Sequence, residues 1–446
     1  MSGNDFSYSQ ERLRELAQSV LDHARKLGAS ACETDVSEAI GQSVTVRRGE
    51  VETIEYNRDK GIGVTVYLGT RRGHASSSDF SGAAVRATVE AALSIARFTA
   101  EDPCAGLPEP ALLAKEPMDL DLFFPWDLPV EEAIDLARRC EQAAYAVSPL
   151  VTNSEGGSVS AQQSHFVSAN SLGFMDGYST SRHYLSVSPI AGKGKDMQRD
   201  DWYSGHRDPR DLAAPEAIGE YAARRALSRL KARKLKTCQV PVLLEAPLAT
   251  GLIGSFVHAV SGGSLYRKSS FLVDSLGKQV FPSFVRLEER PHLAKGLASS
   301  PFDDDGVATR DRNVVEGGVV QGYFLSTYTA RKLGMETTGN AGGSHNLILR
   351  PGDLDFRGLL REMGTGLLVT ELLGHGINYV NGDYSRGAAG YWVEGGEIAY
   401  PVHEITIAGN LKDMFGGIAA IGKDMVVRGS KQSGSILIDR MTVAGN

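Results

Sequence analysis

Leu13, Leu16, Ala17, Val20, Ala24 and Leu27 recur every three or four residues, which predicts an amphipathic helix stopped by Gly28. Strand-like runs follow at 42–47, 51–57, 62–68 and 71–77. Arg-Gly-Glu, Asp-Lys-Gly and Gly-Thr turns part them, so an antiparallel meander is expected. Helical spacing returns from Ser81 to Phe98, where Val85, Val89, Ala92, Leu93 and Ala96 share one face. A Pro-rich stretch from Asp102 to Pro129 reads as a surface connection. Behind it the order repeats, with a helix at 130–145, strands across 150–189 and a helix at 214–231. Helix, meander, helix twice over reads as a structural duplication. No residue pattern repeats between the halves, so one large α+β domain is the alternative.

The pattern changes near 234–241. Of the 50 glycines, 18 lie in residues 1–235 and 32 in the shorter remainder. Glycine within apolar, β-branched segments marks turns, bulges and close backbone approach, so the second part is expected to be bent and strand-rich. It opens with a buried strand at 240–244 and a helix at 247–259; strand candidates follow at 318–326, 366–370, 390–393, 397–400, 404–408 and 436–438. The expected fold class is α+β. A domain of helices and antiparallel meanders at 1–235 precedes a Gly-rich, mainly antiparallel β domain at 236–446 with one central helix.

Composition narrows the function. A chain of 446 residues with 42% hydrophobic and 23% charged residues is ordinary for a globular protein. No run approaches the roughly 18 to 20 apolar residues that span a bilayer, and the polar start lacks a signal peptide's regions, so a cytoplasmic protein without a membrane anchor is expected. Cys32, Cys104, Cys140 and Cys238 are scattered, which fits reduced thiols. A net charge of -7 argues against a nucleic-acid partner, because that binding neutralises phosphates with Lys and Arg. The basic runs at 224–225 and 231–236 read as solvated faces.

Candidate chemistry is sparse. His258, among Val257, Ala259 and Val260, reads as a packed or capping histidine. His403 and Glu404 are adjacent on a strand and point to opposite faces, which defeats shared coordination. His345 and His375 lie in turns without carboxylate or cysteine partners at telling spacing. Asp303-Asp304-Asp305-Gly306 lacks the alternating ligands of a calcium loop and reads as a solvated acidic turn. Ser385 lacks a nucleophile elbow. Its neighbours Asp383, Tyr384 and Arg386 suit a turn or a peptide-backbone contact, and Arg386 can also pair with a carboxylate.

Several clusters in the second part occur in a telling order. They are Ser264-Leu-Tyr-Arg-Lys-Ser-Ser with Asp274-Ser-Leu-Gly-Lys, then Ser326-Thr-Tyr-Thr-Ala-Arg-Lys-Leu-Gly with Thr338-Gly-Asn-Ala-Gly-Gly, then Gly382-Asp-Tyr-Ser-Arg-Gly-Ala-Ala-Gly-Tyr-Trp-Val-Glu. Glu404-Ile-Thr-Ile-Ala-Gly-Asn-Leu-Lys-Asp-Met414, Arg48-Gly-Glu-Val-Glu-Thr and Ala75-Ser-Ser-Ser-Asp agree with them. Together they resemble the TldD/PmbA metallopeptidase family over nearly the whole chain, and most of all its PmbA (TldE) branch, once named as a gyrase modulator.

The resemblance implies where a metal would sit. The catalytic TldD branch carries His-Glu-x-x-x-His on a helix and a cysteine near the C-terminus, because zinc needs imidazole or thiolate donors and a nearby base. Those positions fall at Gly254, Ser255 and Ala259, with His258 one residue out of place, and at Ser433. They read as degenerate metal-site positions, so no catalytic residue and no metal are expected in this chain. The resemblance then implies a heterodimer with a TldD-like partner that holds zinc, acting on small unstructured peptides in leader removal and antitoxin turnover. A homodimer without that partner is a further expectation. A strand edge can hold such a peptide by β-addition, and Tyr266, Arg267, Asp383, Tyr384 and Arg386 are the candidate peptide or interface contacts. Two alternatives stand beside this: a metallopeptidase active alone through His258, His345 or His375, and a regulatory protein that binds gyrase without peptidase activity.

Overall fold

The computed structural model describes residues 6–445. The first helical repeat forms α1 (Gln10–Lys26), which Ser9 caps by accepting the Arg12 N–H. Strands β1 (Ala31–Arg47), β2 (Glu50–Leu68) and β3 (Arg71–Ser77) follow, then α2 (Gly82–Phe98), capped by Ser81. After the Pro-rich connection come α3 (Val130–Val147), β4 (Val151–Asn170), strands Ser179–Ala191 and Trp202–His206, and α4 (Pro215–Ser228). Helix, three main strands, helix thus occurs twice.

Both halves share one antiparallel sheet in the order β3, β2, β1, β4 and Ser179–Ala191, with Trp202–His206 beyond. The halves join where β1 pairs with β4, Val36 opposite Val167. Alternate residues of β1 are buried, and Val36 packs with α1 and α2 while Val44 packs with residues of α3 and α4. Each half brings one helix close to the sheet at a glycine. A Cβ on Gly73 would overlap the Ala92 carbonyl of α2, and one on Gly157 would overlap the Ala137 carbonyl of α3. The turn expected at Asp59-Lys60-Gly61 does not form. β2 runs straight through it, because Asp59 and Lys60 keep register with Ala39 and Glu38 of β1.

The second unit closes a sheet on itself. Strand Cys238–Leu244 lies between Gly366–Leu373 and Ile436–Ala444, and Glu397–Asn410 and Asp383–Glu394 complete the path. Gly366–Leu373 also pairs with Asp383–Glu394, which joins the two ends. A second sheet contains Leu287–Glu289, Leu347–Leu349 and Lys431–Ser433. Helix α5 (Ala246–Ala259) buries Leu252, Ile253 and Phe256 in a core that draws on both sheets, including Val242, Leu367, Leu287 and Leu347. Shorter helices accompany it at Gly262–Tyr266, Thr327–Leu333, Phe356–Met363 and Leu411–Gly416.

The strand expected at 318–326 is a correction. Only Val319–Val320 forms a strand, Phe324 makes an isolated bridge to Ser261, and Ser326 caps a helix through a capping box with Thr329, stopped by Gly334 at φ 65°. Seven helical residues carry too little periodicity to announce themselves.

Two compact units emerge. One is the chain through Leu227 with Ala294–Leu297 and Pro301–Thr309; the other is Ser228–Leu293, Ala298–Ser300 and the chain from Arg310 onward. No helix among the described residues is long and apolar enough to cross a membrane.

Candidate functional site

Helix α5 has two unlike faces. Its apolar face is buried, while the other carries Gly251, Gly254 and His258 in helical succession. Neither glycine is forced by crowding. A Cβ on Gly251 would meet nothing within 4 Å, and one on Gly254 would lie 3.6 Å from Lys431 Cε and 4.0 Å from its Nζ. Ser255 is buried, and its hydroxyl donates to the Gly251 carbonyl at 3.2 Å. The Tyr379 hydroxyl approaches Ser255 Oγ at 3.5 Å, and the Tyr379 ring lies 4.0 Å from the His258 ring. His258 is therefore not packed into the core as expected: it is largely exposed and rests against the Tyr379 ring. Partial burial, with the Arg267 guanidinium adding to it, holds its pKa below the ordinary imidazole value.

Lys431 is the residue sequence reasoning missed. It starts the strand Lys431–Ser433, which packs against α5, and its half-buried ammonium lies over Gly254. Its one hydrogen bond among the described residues reaches Ser430 Oγ at 3.4 Å, and no ion pair forms with a described carboxylate. Burial lowers its pKa from the ordinary lysine value. Two positions on, Ser433 is fully buried and donates to the Gly434 carbonyl at 2.8 Å. A lone lysine in a polar turn has no period or spacing to mark it.

These residues do not fit a zinc ion. Gly254 and Ala259 offer no side-chain donor, the hydroxyls of Ser255 and Ser433 are committed to carbonyls, and an ammonium beside Gly254 repels a second cation. The remaining histidines stand apart. His345 is buried with Nε2 2.9 Å from the Gly339 carbonyl, and its backbone N–H donates to Glu289 at 2.8 Å. His375 lies exposed in a turn, and Glu404, at φ 51°, pairs with Lys234 at 2.9 Å. Among the described residues no group of three or more His, Cys, Asp or Glu side chains is arranged to hold a metal.

The candidate peptide contacts divide. The Arg267 guanidinium sits 5.2 Å from the Tyr266 ring centre and donates to its hydroxyl at 3.1 Å, and Tyr266 meets Tyr328 edge-on. Tyr384 is buried on the closed sheet; burial raises its pKa, and the neighbouring Arg386 opposes that rise. Asp383 opens the same strand, exposed, and accepts from Asn381 at 2.7 Å and Asn410 at 3.3 Å. Asn340, in the Thr338 motif, is structural: it donates to the buried Glu289, which also pairs with Arg312 at 2.7 Å. Asp303 is buried too, so the acidic turn is not simply solvated. Its carboxylate accepts the N–H groups of Asp305 and Val307.

Comparison with known proteins agrees with this architecture. Residues 237–445 match the PmbA/TldA metallopeptidase C-terminal domain, 124–230 the central domain and 32–96 domain 1 of the same family. The chain belongs to the TldD/PmbA metallopeptidase family. Within it the chain falls in the PmbA branch. It is 49% identical to the metalloprotease PmbA of Escherichia coli O157:H7, covering 98% of this chain and 97% of that one, and 46% identical to a PmbA homologue of Haemophilus influenzae over the same shares. A Bacteroides thetaiotaomicron protein described as a modulator of DNA gyrase superposes with a TM-score of 0.93 at 25% identity, covering 98% of this chain and 100% of its own. The TldE of Thermococcus kodakarensis shares the fold, with a TM-score of 0.82 at 20% identity, over 96% of this chain and all of its own.

Proposed function

We propose that this chain is the non-catalytic subunit of a heterodimeric zinc metallopeptidase, paired with a TldD-like partner that supplies the metal and the base. The observation that carries the reading is the meeting of Lys431 with Gly254. A cation stands beside the helix face where a metal ligand is expected, and Gly254, Ser255, Ala259 and Ser433 give no imidazole or thiolate. Membership of a metallopeptidase family, with an ordered core around α5, supports a retained scaffold. Substrates in this reading are short unstructured peptides, held in extended form.

Co-expression of the tagged chain with a homologue bearing His-Glu-x-x-x-His tests the assignment. The pair is expected to co-purify, zinc to follow the partner, and peptidase activity to require both. Full activity with stoichiometric zinc from this chain alone would overturn it. The gyrase description of the Bacteroides relative favours a second reading, a regulatory protein. That reading predicts gyrase binding and no peptidase activity in any mixture.

A further inference from the structure

Several cations of the second unit have matched carboxylates. Arg312 pairs with Glu289 at 2.7 Å, and Arg290 and Arg350 pair with the buried Glu288 at 2.6 and 2.5 Å. Lys431 differs. No described carboxylate pairs with it, although withdrawing an ammonium from water is unfavourable without a counter-charge. The space above it is kept open by Gly254, and Gly251 one turn earlier leaves more. Arg267 adds a further positive charge near His258, towards the end of α5. A zinc ion is repelled here, whereas a carboxylate both neutralises the lysine and accepts its N–H donors.

We propose that Lys431, framed by Gly251 and Gly254 of α5, is the anchor for a carboxylate of the bound peptide. The carboxylate comes from either the peptide's C-terminus or an acidic side chain. The proposal rests on the peptide-binding reading above and names the chemistry that this subunit recognises. Lys431 acts in binding and orientation and takes no part in bond cleavage.

The test uses fluorescein-labelled, unstructured peptides of one sequence in three forms: free C-terminal acid, C-terminal amide, and amide with one internal glutamate. Each is titrated by anisotropy against the full chain, alone and with its TldD-like partner. A carboxylate form is expected to bind about tenfold tighter than the plain amide, as a charge-assisted hydrogen bond provides, with the preference fading at high salt. Whichever carboxylate form is tight identifies the source. The preference should vanish in Lys431→Met and persist in Lys431→Arg. Equal binding of all three forms, or a preference that survives in Lys431→Met, overturns the proposal while leaving peptide binding in place. If no form binds in either setting, the peptide-binding reading fails with it. The acid and amide comparison on the unmodified protein needs no variant to fold.

Discussion

Glu141, fully buried on α3, grips the turn at Gly49. Its Oε2 accepts the Gly49 N–H at 2.9 Å and its Oε1 the Arg48 N–H at 2.9 Å, while Arg138 Nε donates to the Gly49 carbonyl at 3.1 Å. Arg48 and Gly49 have φ of 55° and 79°, the left-handed pair a two-residue hairpin turn requires. The Arg-Gly-Glu motif is therefore a hairpin tip fastened to a helix. Glu141→Ala, which leaves both donors unpaired, is expected to lose about 2–4 kcal/mol, and Glu141→Gln less, in urea unfolding followed by circular dichroism. A loss below about 0.5 kcal/mol for the alanine variant would show that the turn stands without its clasp.

Two close approaches of helix to sheet make a paired prediction. Gly73 on β3 admits α2 and Gly157 on β4 admits α3, each where a Cβ would meet main-chain atoms that cannot swing aside. Gly73→Ala and Gly157→Ala should each destabilise by about 1–3 kcal/mol through forced backbone shifts. Unfolding curves would read this out, and neutrality at either site would show that the helix there can move away from the sheet.

Gly251 and Gly254 predict the opposite sign. Both sit in the interior of α5 with room for a Cβ, and alanine has the better helix propensity. Alanine at either place should raise stability by about 0.5–1 kcal/mol. Bulkier Gly254→Leu should cover Lys431 and weaken peptide binding with the fold intact. Destabilisation by either alanine would mean that the open face is dictated by packing rather than kept for a ligand.

Acid sensitivity should centre on Glu38. Burial raises its carboxyl, but the N–H groups of Ser7 and Tyr8, with His165 Nε2 at 3.5 Å, outweigh that and hold it below the usual range. Burial lowers His165, with Glu38 opposing. A depressed carboxyl stabilises above its unfolded pKa and is lost as pH falls through the folded one. A depressed imidazole likewise favours the fold above its ordinary 6.5 and is lost below it. The His165 contribution is therefore lost below 6.5 and the Glu38 contribution only as pH falls below 4.5, while Glu33 and Asp35, pushed up by burial to about 7 and about 6, act in the opposite sense above that range. Glu38→Gln should be weaker at pH 7 and show a shallower acid limb. An unchanged limb for this variant in chemical unfolding below pH 4.5 would remove Glu38 from the account.

Much of the first unit was legible because its helices carry long apolar stripes, and α1, α2, α3 and α4 lie within a few residues of their expected spans. The Ser326 helix was illegible because seven residues show no stripe, and the Asp59 turn misled because turn-like residues sit comfortably in a paired strand. In the second unit the absence of metal donors along α5 could be read from Gly254, Ser255 and Ala259. What occupies that place could not, since Lys431 has no signature and reaches Gly254 only through packing of a distant strand.

The sequence by itself determined the helical stripes, the glycine-rich second half, the family resemblance and the absence of imidazole or thiolate at Gly254, Ser255 and Ala259, because each depends on residue type and local spacing. Only the tertiary structure decided that β1 and β4 join the duplicated halves, that Glu141 holds the Gly49 turn, and that an uncompensated ammonium stands over α5. Those relations join residues far apart in the chain, and close packing together with the need to satisfy buried polar groups brings them together.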